Sequence, residues 1–182
     1  MTFSVKKTRA TFPRHILIES PTPMTRLNRL SKYYDIDLWI KRDDLAGPTI
    51  GGNKTRQLEY YFGAALARGA DTILITGAVQ SNFVRLAASI AAALGMDAVI
   101  QLEHRVNNST NSYKNSGNVL LNKMFGARII YYSEGEDENG ADSAMYEEAR
   151  RLKKLGRSPY VIPLGKKNPP LGALGYVNCA TE

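Results

Sequence analysis

The chain has almost no cysteine. Of its 182 residues only Cys179 carries a thiol, so no intrachain disulfide can form, and a reducing, cytoplasmic setting is expected. Long apolar runs are missing, so no stretch is suited to spanning a bilayer, and the N-terminus lacks the apolar core of a signal peptide. Histidine is scarce: His15 and His104 stand far apart and make no metal-ligand spacing, so no metal is expected. Dense Lys/Arg runs are absent too. The formal charge of +7 is dispersed, which argues against nucleic acid and for solubility with some attraction for small anions. No GxGxxG or Walker pattern occurs, which leaves nucleotide binding little support. What remains is ordinary for a globular protein, with 43% hydrophobic and 23% charged residues.

The early part, Met1 to Leu45, reads as irregular with short elements. Pro21-Thr22-Pro23 marks a loop, Thr25 is expected to cap a short helix carrying Leu27 and Leu30, and Asp37–Lys41 reads as a strand. The Arg42-Asp43-Asp44 group after it reads as a salt-bridged turn rather than a metal or acid/base site, since no histidine or third carboxylate lies nearby.

From Gly51-Gly52-Asn53-Lys54 onward the pattern becomes regular. Two glycines permit a sharp turn, Asn53 is expected to cap, and Leu58, Tyr61, Phe62, Ala65 and Leu66 recur at helical spacing to Gly69. Short β-rich runs are expected at Asp71–Thr76, Asp97–Leu102, Arg128–Tyr132 and Tyr160–Pro163. Between them come helices at Ser81–Leu94, Tyr113–Phe125 and Asp142–Leu155, stopped by Gly95, Gly126 and Gly156. Alternation of this kind predicts an α/β fold, a three-layer arrangement with a parallel sheet and helices on both faces. Near the end, Asn168 to Tyr176 reads as a loop entering a further helix.

Two places carry possible chemistry. Lys54 falls in the first turn of its helix, where the positive end of the helix dipole disfavours an ammonium and favours the nucleophilic neutral amine. An ordinary solvated lysine is the alternative. Gly77 to Asn82 lies at the carboxyl end of a strand, where ligands gather in open parallel sheets. Ser81 and Asn82 there begin a helix with unpaired N–H groups, suited to a carboxylate or phosphate, although a plain N-cap reads as well. His104 reads as solvated and Cys179 as a small buried apolar residue.

Taken together, Pro21-Thr22-Pro23, Ile40-Lys41-Arg42-Asp43-Asp44, Gly51-Gly52-Asn53-Lys54-Thr55-Arg56 with Leu58-Glu59, and Gly77 followed by Gln80-Ser81-Asn82 resemble the D-cysteine desulfhydrase and 1-aminocyclopropane-1-carboxylate deaminase family. Gly117-Asn118-Val119-Leu120-Leu121 and Leu171-Gly172-Ala173-Leu174-Gly175-Tyr176-Val177 resemble later landmarks, the last closest to the D-cysteine desulfhydrase and L-cysteate sulfo-lyase branch. The resemblance implies a pyridoxal 5'-phosphate enzyme of the tryptophan-synthase β fold type, acting on a small amino acid in amino-acid catabolism. It implies Lys54 as the Schiff-base lysine and proton carrier, and Asn82 as partner of the cofactor's 3-hydroxyl oxygen. Gln80, Ser81 and Asn82 would hold the substrate carboxylate, with Ser81 also a candidate for proton transfer or nucleophilic attack. β-Elimination would release pyruvate, ammonia and sulfide or sulfite; in the deaminase branch a ring opens instead.

The resemblance further implies a division into 1–47 (part of a large domain), 48–159 (a small α/β domain bearing Lys54) and 160–182 (a return into the large domain). Full-length members are expected to be homodimers. Family chains run nearly twice this length, so the chain reads as truncated, without the Gly-rich phosphate loop, the group facing the pyridine nitrogen and the catalytic tyrosines. Phe83 and Leu86 stand where the family commonly has polar residues, and Gly165-Lys166-Lys167 replaces Gly-Gly-Ser. These departures keep a second expectation open: a catalytically incompetent fragment or binding module.

Overall fold

The structure is a computed structural model that describes residues 12–19, 21–48, 50–107 and 109–182; the expectation of short elements over 1–11 lies outside them. An arm comes first: β1 (Met24–Arg26), α1 (Asn28–Tyr34) and β2 (Trp39–Lys41), with β1 and β2 antiparallel. Thr25 therefore does not cap a helix. It lies within β1 opposite Ile40, and α1 begins after Leu27 without a side-chain cap. Asp43–Leu45 forms a 3-10 turn, with Arg42 ion-paired to Asp44 at 2.7 Å, as the charged group suggested.

The main unit follows as α2 (Lys54–Ala67), β3 (Thr72–Ala78), α3 (Asn82–Ala93), β4 (Asp97–Glu103), α4 (Asn111–Asn115), α5 (Asn118–Met124), β5 (Arg128–Tyr132), α6 (Glu138–Lys154) and β6 (Pro159–Ile162). Its strands form a parallel sheet in the order β5-β4-β3-β6. Because β6 pairs with Thr72–Ile75 of β3, the sheet extends to Ile162. A 3-10 turn at Leu171–Ala173 and α7 (Leu174–Cys179) then pack back on α2.

Side chains alternate along each strand. Ile73, Ile75, Ile100 and Leu102 join Leu58 and Phe62 of α2 and Leu86 and Ile90 of α3 on one face. Leu74 and Val99 meet Met145 and Ala149 of α6 on the other. Helix, sheet and helix make the three layers. Burial on both faces is why these strands read as continuous apolar runs.

One helix differs from expectation. The span Tyr113–Phe125 is broken into α4 and α5 by Gly117, whose φ is +58°. A Cβ at Gly117 would lie 2.6 Å from Gln80 Oε1. The chain bends there so that its backbone can receive the Gln80 side chain.

Candidate active site

The turn before α2 is set by the backbone. Gly51 and Gly52 have φ of +50° and +107°, and a Cβ on Gly51 would meet the Ala46 carbonyl oxygen at 2.5 Å. Only glycine fits that approach. The Gly52 N–H donates to the Asp43 carbonyl at 3.0 Å, tying the turn to the preceding 3-10 segment. Asn53 makes no side-chain cap; its backbone is already helical, and its carbonyl accepts the Tyr176 hydroxyl at 3.0 Å. Lys54 is the first residue of α2 and is half-buried. Its amine has no hydrogen bond or ion pair among the described residues. Two positions on, Arg56 is buried and ion-paired to Asp43 (2.7 Å) and Glu182 (2.8 Å).

Arg56, and then Lys41, hold the Glu182 carboxyl down at about 2. Hydrogen bonding from Arg56 likewise holds Asp43 below its ordinary value. Both carboxylates stay ionised at neutral pH and serve structure.

At the carboxyl end of β3, Ser81 caps α3. Its Oγ accepts the Val84 N–H at 3.3 Å, as an N-cap should. The N–H groups of Gln80, Asn82 and Phe83 have no acceptor among the described residues. The Gln80 side chain is fully engaged: Nε2 donates to the carbonyls of Tyr113 (2.6 Å) and Ser116 (3.0 Å), and Oε1 accepts the Asn118 N–H (2.8 Å). Asn118 in turn donates from Nδ2 to the Gln80 carbonyl (2.8 Å) and to Asn82 Oδ1 (2.9 Å). With Oδ1 occupied, Asn82 presents its exposed Nδ2 as a donor, which suits an acceptor oxygen on a ligand. Asn118 was missed as a site residue by sequence reasoning. Its signal was present, as part of the Gly117–Leu121 landmark, but nothing in the sequence linked it to Gln80 across 38 positions.

Helices α2 and α3 lie side by side, with the Tyr61 and Phe83 rings edge-on at 6.3 Å. Phe83 and Leu86 are buried in the core on this face. Gly165 is held by the Asp142 carboxylate through its N–H at 2.9 Å, while Lys166 and Lys167 are exposed. A groove of about 930 Å³ runs along β6, lined by Tyr61, Arg68, Tyr146 and Tyr160, but none of Lys54, Gln80, Ser81 or Asn82 borders it. Lys54, Gln80 and Ser81 are half-buried, and Asn82 is exposed. Among the described residues no three His, Cys, Asp or Glu side chains gather as a metal site, and no helix is long and apolar enough to cross a membrane.

A family model described as pyridoxal-phosphate dependent enzyme matches residues 16–182. The chain belongs to that family. It is 42% identical over 173 residues to the D-cysteine desulfhydrase of Yersinia enterocolitica, covering 95% of this chain and 51% of that protein. It is 44% identical over 174 residues to the 1-aminocyclopropane-1-carboxylate deaminase of Burkholderia cenocepacia, covering 94% of the chain and 51% of the relative. A crystal structure of an ACC deaminase homologue superposes with a TM-score of 0.83 at 39% identity, over 100% of this chain and 53% of that one. A fungal L-serine ammonia-lyase from Rhizomucor miehei shares the fold alone, at a TM-score of 0.62 and 22% identity over 91% of this chain and 46% of that one. The chain thus spans about half the length of the curated relatives it matches.

The residues present fit part of a pyridoxal 5'-phosphate site. Lys54 has a primary amine with no partner among the described residues, the kind of group an aldehyde needs, and Asn82 has an oriented amide donor, the kind a ring oxygen needs.

Proposed function

We propose that the whole protein is a pyridoxal-phosphate-dependent lyase acting on a small amino acid, with D-cysteine the preferred reading. D-Cysteine and water would yield pyruvate, ammonia and sulfide. Ring opening of 1-aminocyclopropane-1-carboxylate is a neighbouring substrate choice, supported by the name of a relative, and L-cysteate elimination is another that follows from the residue resemblance alone. The division 1–47, 48–159 and 160–182, a homodimeric whole protein and a cytoplasmic setting belong to the same proposal.

The observation that carries the reading is the uncommitted Lys54 amine at the head of α2, on a helix packed beside α3, whose first turn holds Ser81, the oriented Asn82 amide and unpaired N–H groups. When bound, the cofactor supplies an electron sink for the substrate's α-carbon. Lys54 would hold the cofactor through Nζ and then take or return the α-proton. Asn82 Nδ2 would donate to the ring oxygen. Because the Gln80 amide is spent on the 113–118 segment, the substrate carboxylate would fall to the Ser81 hydroxyl and to the N–H groups of Gln80, Asn82 and Phe83.

A second reading has one specific observation behind it. The Phe83 side chain turns inward on Tyr61 and has no hydrogen-bonding group to offer a substrate, which suits a carboxylate-binding module without turnover. Reduction with borohydride in the presence of pyridoxal phosphate, followed by peptide mass mapping, separates the two. A phosphopyridoxyl group placed selectively on Lys54 and displaced by D-cysteine supports the enzyme reading. Scattered labelling of many lysines overturns it for this chain.

A further inference from the structure

We propose that Arg56 is a positioning residue for Lys54: by closing a ring of contacts on Asp43 from the opposite side of α2, it fixes where the lysine leaves the helix. As a statement about cofactor chemistry it rests on the function proposed above.

Residues two apart on an α-helix point about 200° apart. Lys54, half-buried and without a partner among the described residues, therefore leaves α2 on one side, and Arg56, with its side chain 1% exposed, on the other. Arg56 donates from Nε and Nη2 to the Asp43 carboxylate at 2.7 and 2.8 Å. It donates from Nη1 and Nη2 to Glu182 at 2.8 and 3.0 Å, and from Nη2 to Thr22 Oγ1 at 3.1 Å. Asp43 also accepts the Gly52 N–H through its backbone carbonyl at 3.0 Å. One residue thus holds both ends of Gly52–Arg56, the first by main chain and the second by side chain, with Lys54 between them.

The ring is braced from outside. Lys41 Nζ reaches Glu182 at 2.8 Å and the Thr22 carbonyl at 2.8 Å. Thr22 Oγ1 donates to Asp43 Oδ1 at 2.8 Å. From α7, Tyr176 donates to the Asn53 carbonyl, and the backbone of Gly175 lies so close to Arg56 that a Cβ would meet its carbonyl oxygen at 2.0 Å. Two cations face two carboxylates, so the network is neutral. Its planar double fork is arginine chemistry: a lysine ammonium has no pair of parallel N–H groups to match a carboxylate. A nucleophile's attack geometry tolerates little displacement, a shift of about 1 Å lowering a rate by about a hundredfold. A lysine side chain is long and flexible, so the site of its Cα is what the fold controls.

The test uses the chain itself with Arg56→Gln, Arg56→Lys and Asp43→Asn. Glu148→Gln serves as control, removing an ion cluster with Arg128 and Arg151 away from α2. Two readouts are taken: amide hydrogen exchange of the peptide spanning 52–58 without cofactor, and the fraction of phosphopyridoxyl label on Lys54 after borohydride reduction. Arg56→Gln should raise exchange in that peptide and reduce Lys54 selectivity, each by about tenfold, while β3 and β4 stay protected. Arg56→Lys should recover part of the loss, and Asp43→Asn should loosen the same peptide if Arg56→Gln does not fold. The proposal is overturned if Arg56→Gln leaves both readouts at wild-type levels, or if Glu148→Gln changes them equally, since that would be a global stability effect. Wild-type protein that shows no preference for Lys54 would sink the proposed function alone, and exchange would still decide the role of Arg56.

Discussion

Ile73, Leu74 and Ile75 of β3 are fully enclosed, whereas Trp39 and Ile40 of β2 are 47% and 41% exposed. Both are apolar strands and read alike in sequence. The difference lies in their neighbours. Strand β3 has β4 on one edge, β6 on the other and helices on both faces. Strand β2 pairs only with β1 among the described residues. Nearby in the chain Met24, Tyr33, Tyr34, Ile36, Leu45 and Ile50 are exposed as well. The main unit holds itself together by packing. The arm is fastened to it by charge, through Thr22, Lys41 and Asp43 to Arg56 and Glu182. Apolar strands thus settle into a core only where a second layer arrives to cover them.

That contrast can be broken most sharply in the core. Leu86→Ala, at a fully buried position, should lower unfolding free energy by about 2–5 kcal/mol in denaturant titration; a loss below about 1 kcal/mol would mean that the sheet unit is not the stable part.

Next comes acid. Glu182 has a folded pKa of about 2, below its ordinary 4.5. Its stabilising contribution is therefore complete above about pH 4.5 and lost as pH falls through about 2, and it amounts to about 3 kcal/mol. Glu148 is also held at about 2, by Arg151 and Arg128, but those arginines are about half exposed and water screens the pair, so it should matter less. Pepsin at pH 2–3 should accordingly cut the arm near Trp39 to Ile50 before the main unit, and Glu182→Gln should expose the same sites at higher pH. Simultaneous cleavage of both regions would remove the distinction.

Within the main unit, Asn118→Ala should loosen the Gln80–Asn82 turn by about 1–2 kcal/mol, read as faster hydrogen exchange over 111–118 with β3 unchanged. Unchanged exchange there would show that Gln80 alone holds the segment. Smallest of all, Ile36→Ser on the arm should alter stability by about 0.5 kcal/mol or less while reducing self-association in sedimentation velocity. A large loss of stability would mean that the arm is covered after all.

Much of the main unit was legible because its strands and helices carry period and punctuation together. Gly69, Gly95, Gly126 and Gly156, all at positive φ, end the helices where expected. The arm was read less well. Thr25 looked like a cap, but cross-strand pairing with Ile40 outweighed that local preference. Asn53 looked like a cap as well, yet the turn before it is fixed by Gly51, Gly52 and Asp43, and Tyr176 takes its carbonyl. Lys54, Ser81 and Asn82 could be put forward as candidates from type, position and resemblance. What occupies the Gln80 amide could not, because its three partners come from residues 113–118, brought close only by the fold.

Sequence alone therefore determined the alternation of strands and helices, the glycine stops, and the family's lysine and Gln-Ser-Asn signatures, since these depend on local conformation and on residue type. Tertiary structure decided the rest: the sheet order, the break at Gly117, the orientation of Asn82 by Asn118, and the ring through Asp43 and Arg56 that leads out to Glu182. Each of those depends on groups distant in the chain meeting at hydrogen-bond range, and such meetings are set by how the layers pack.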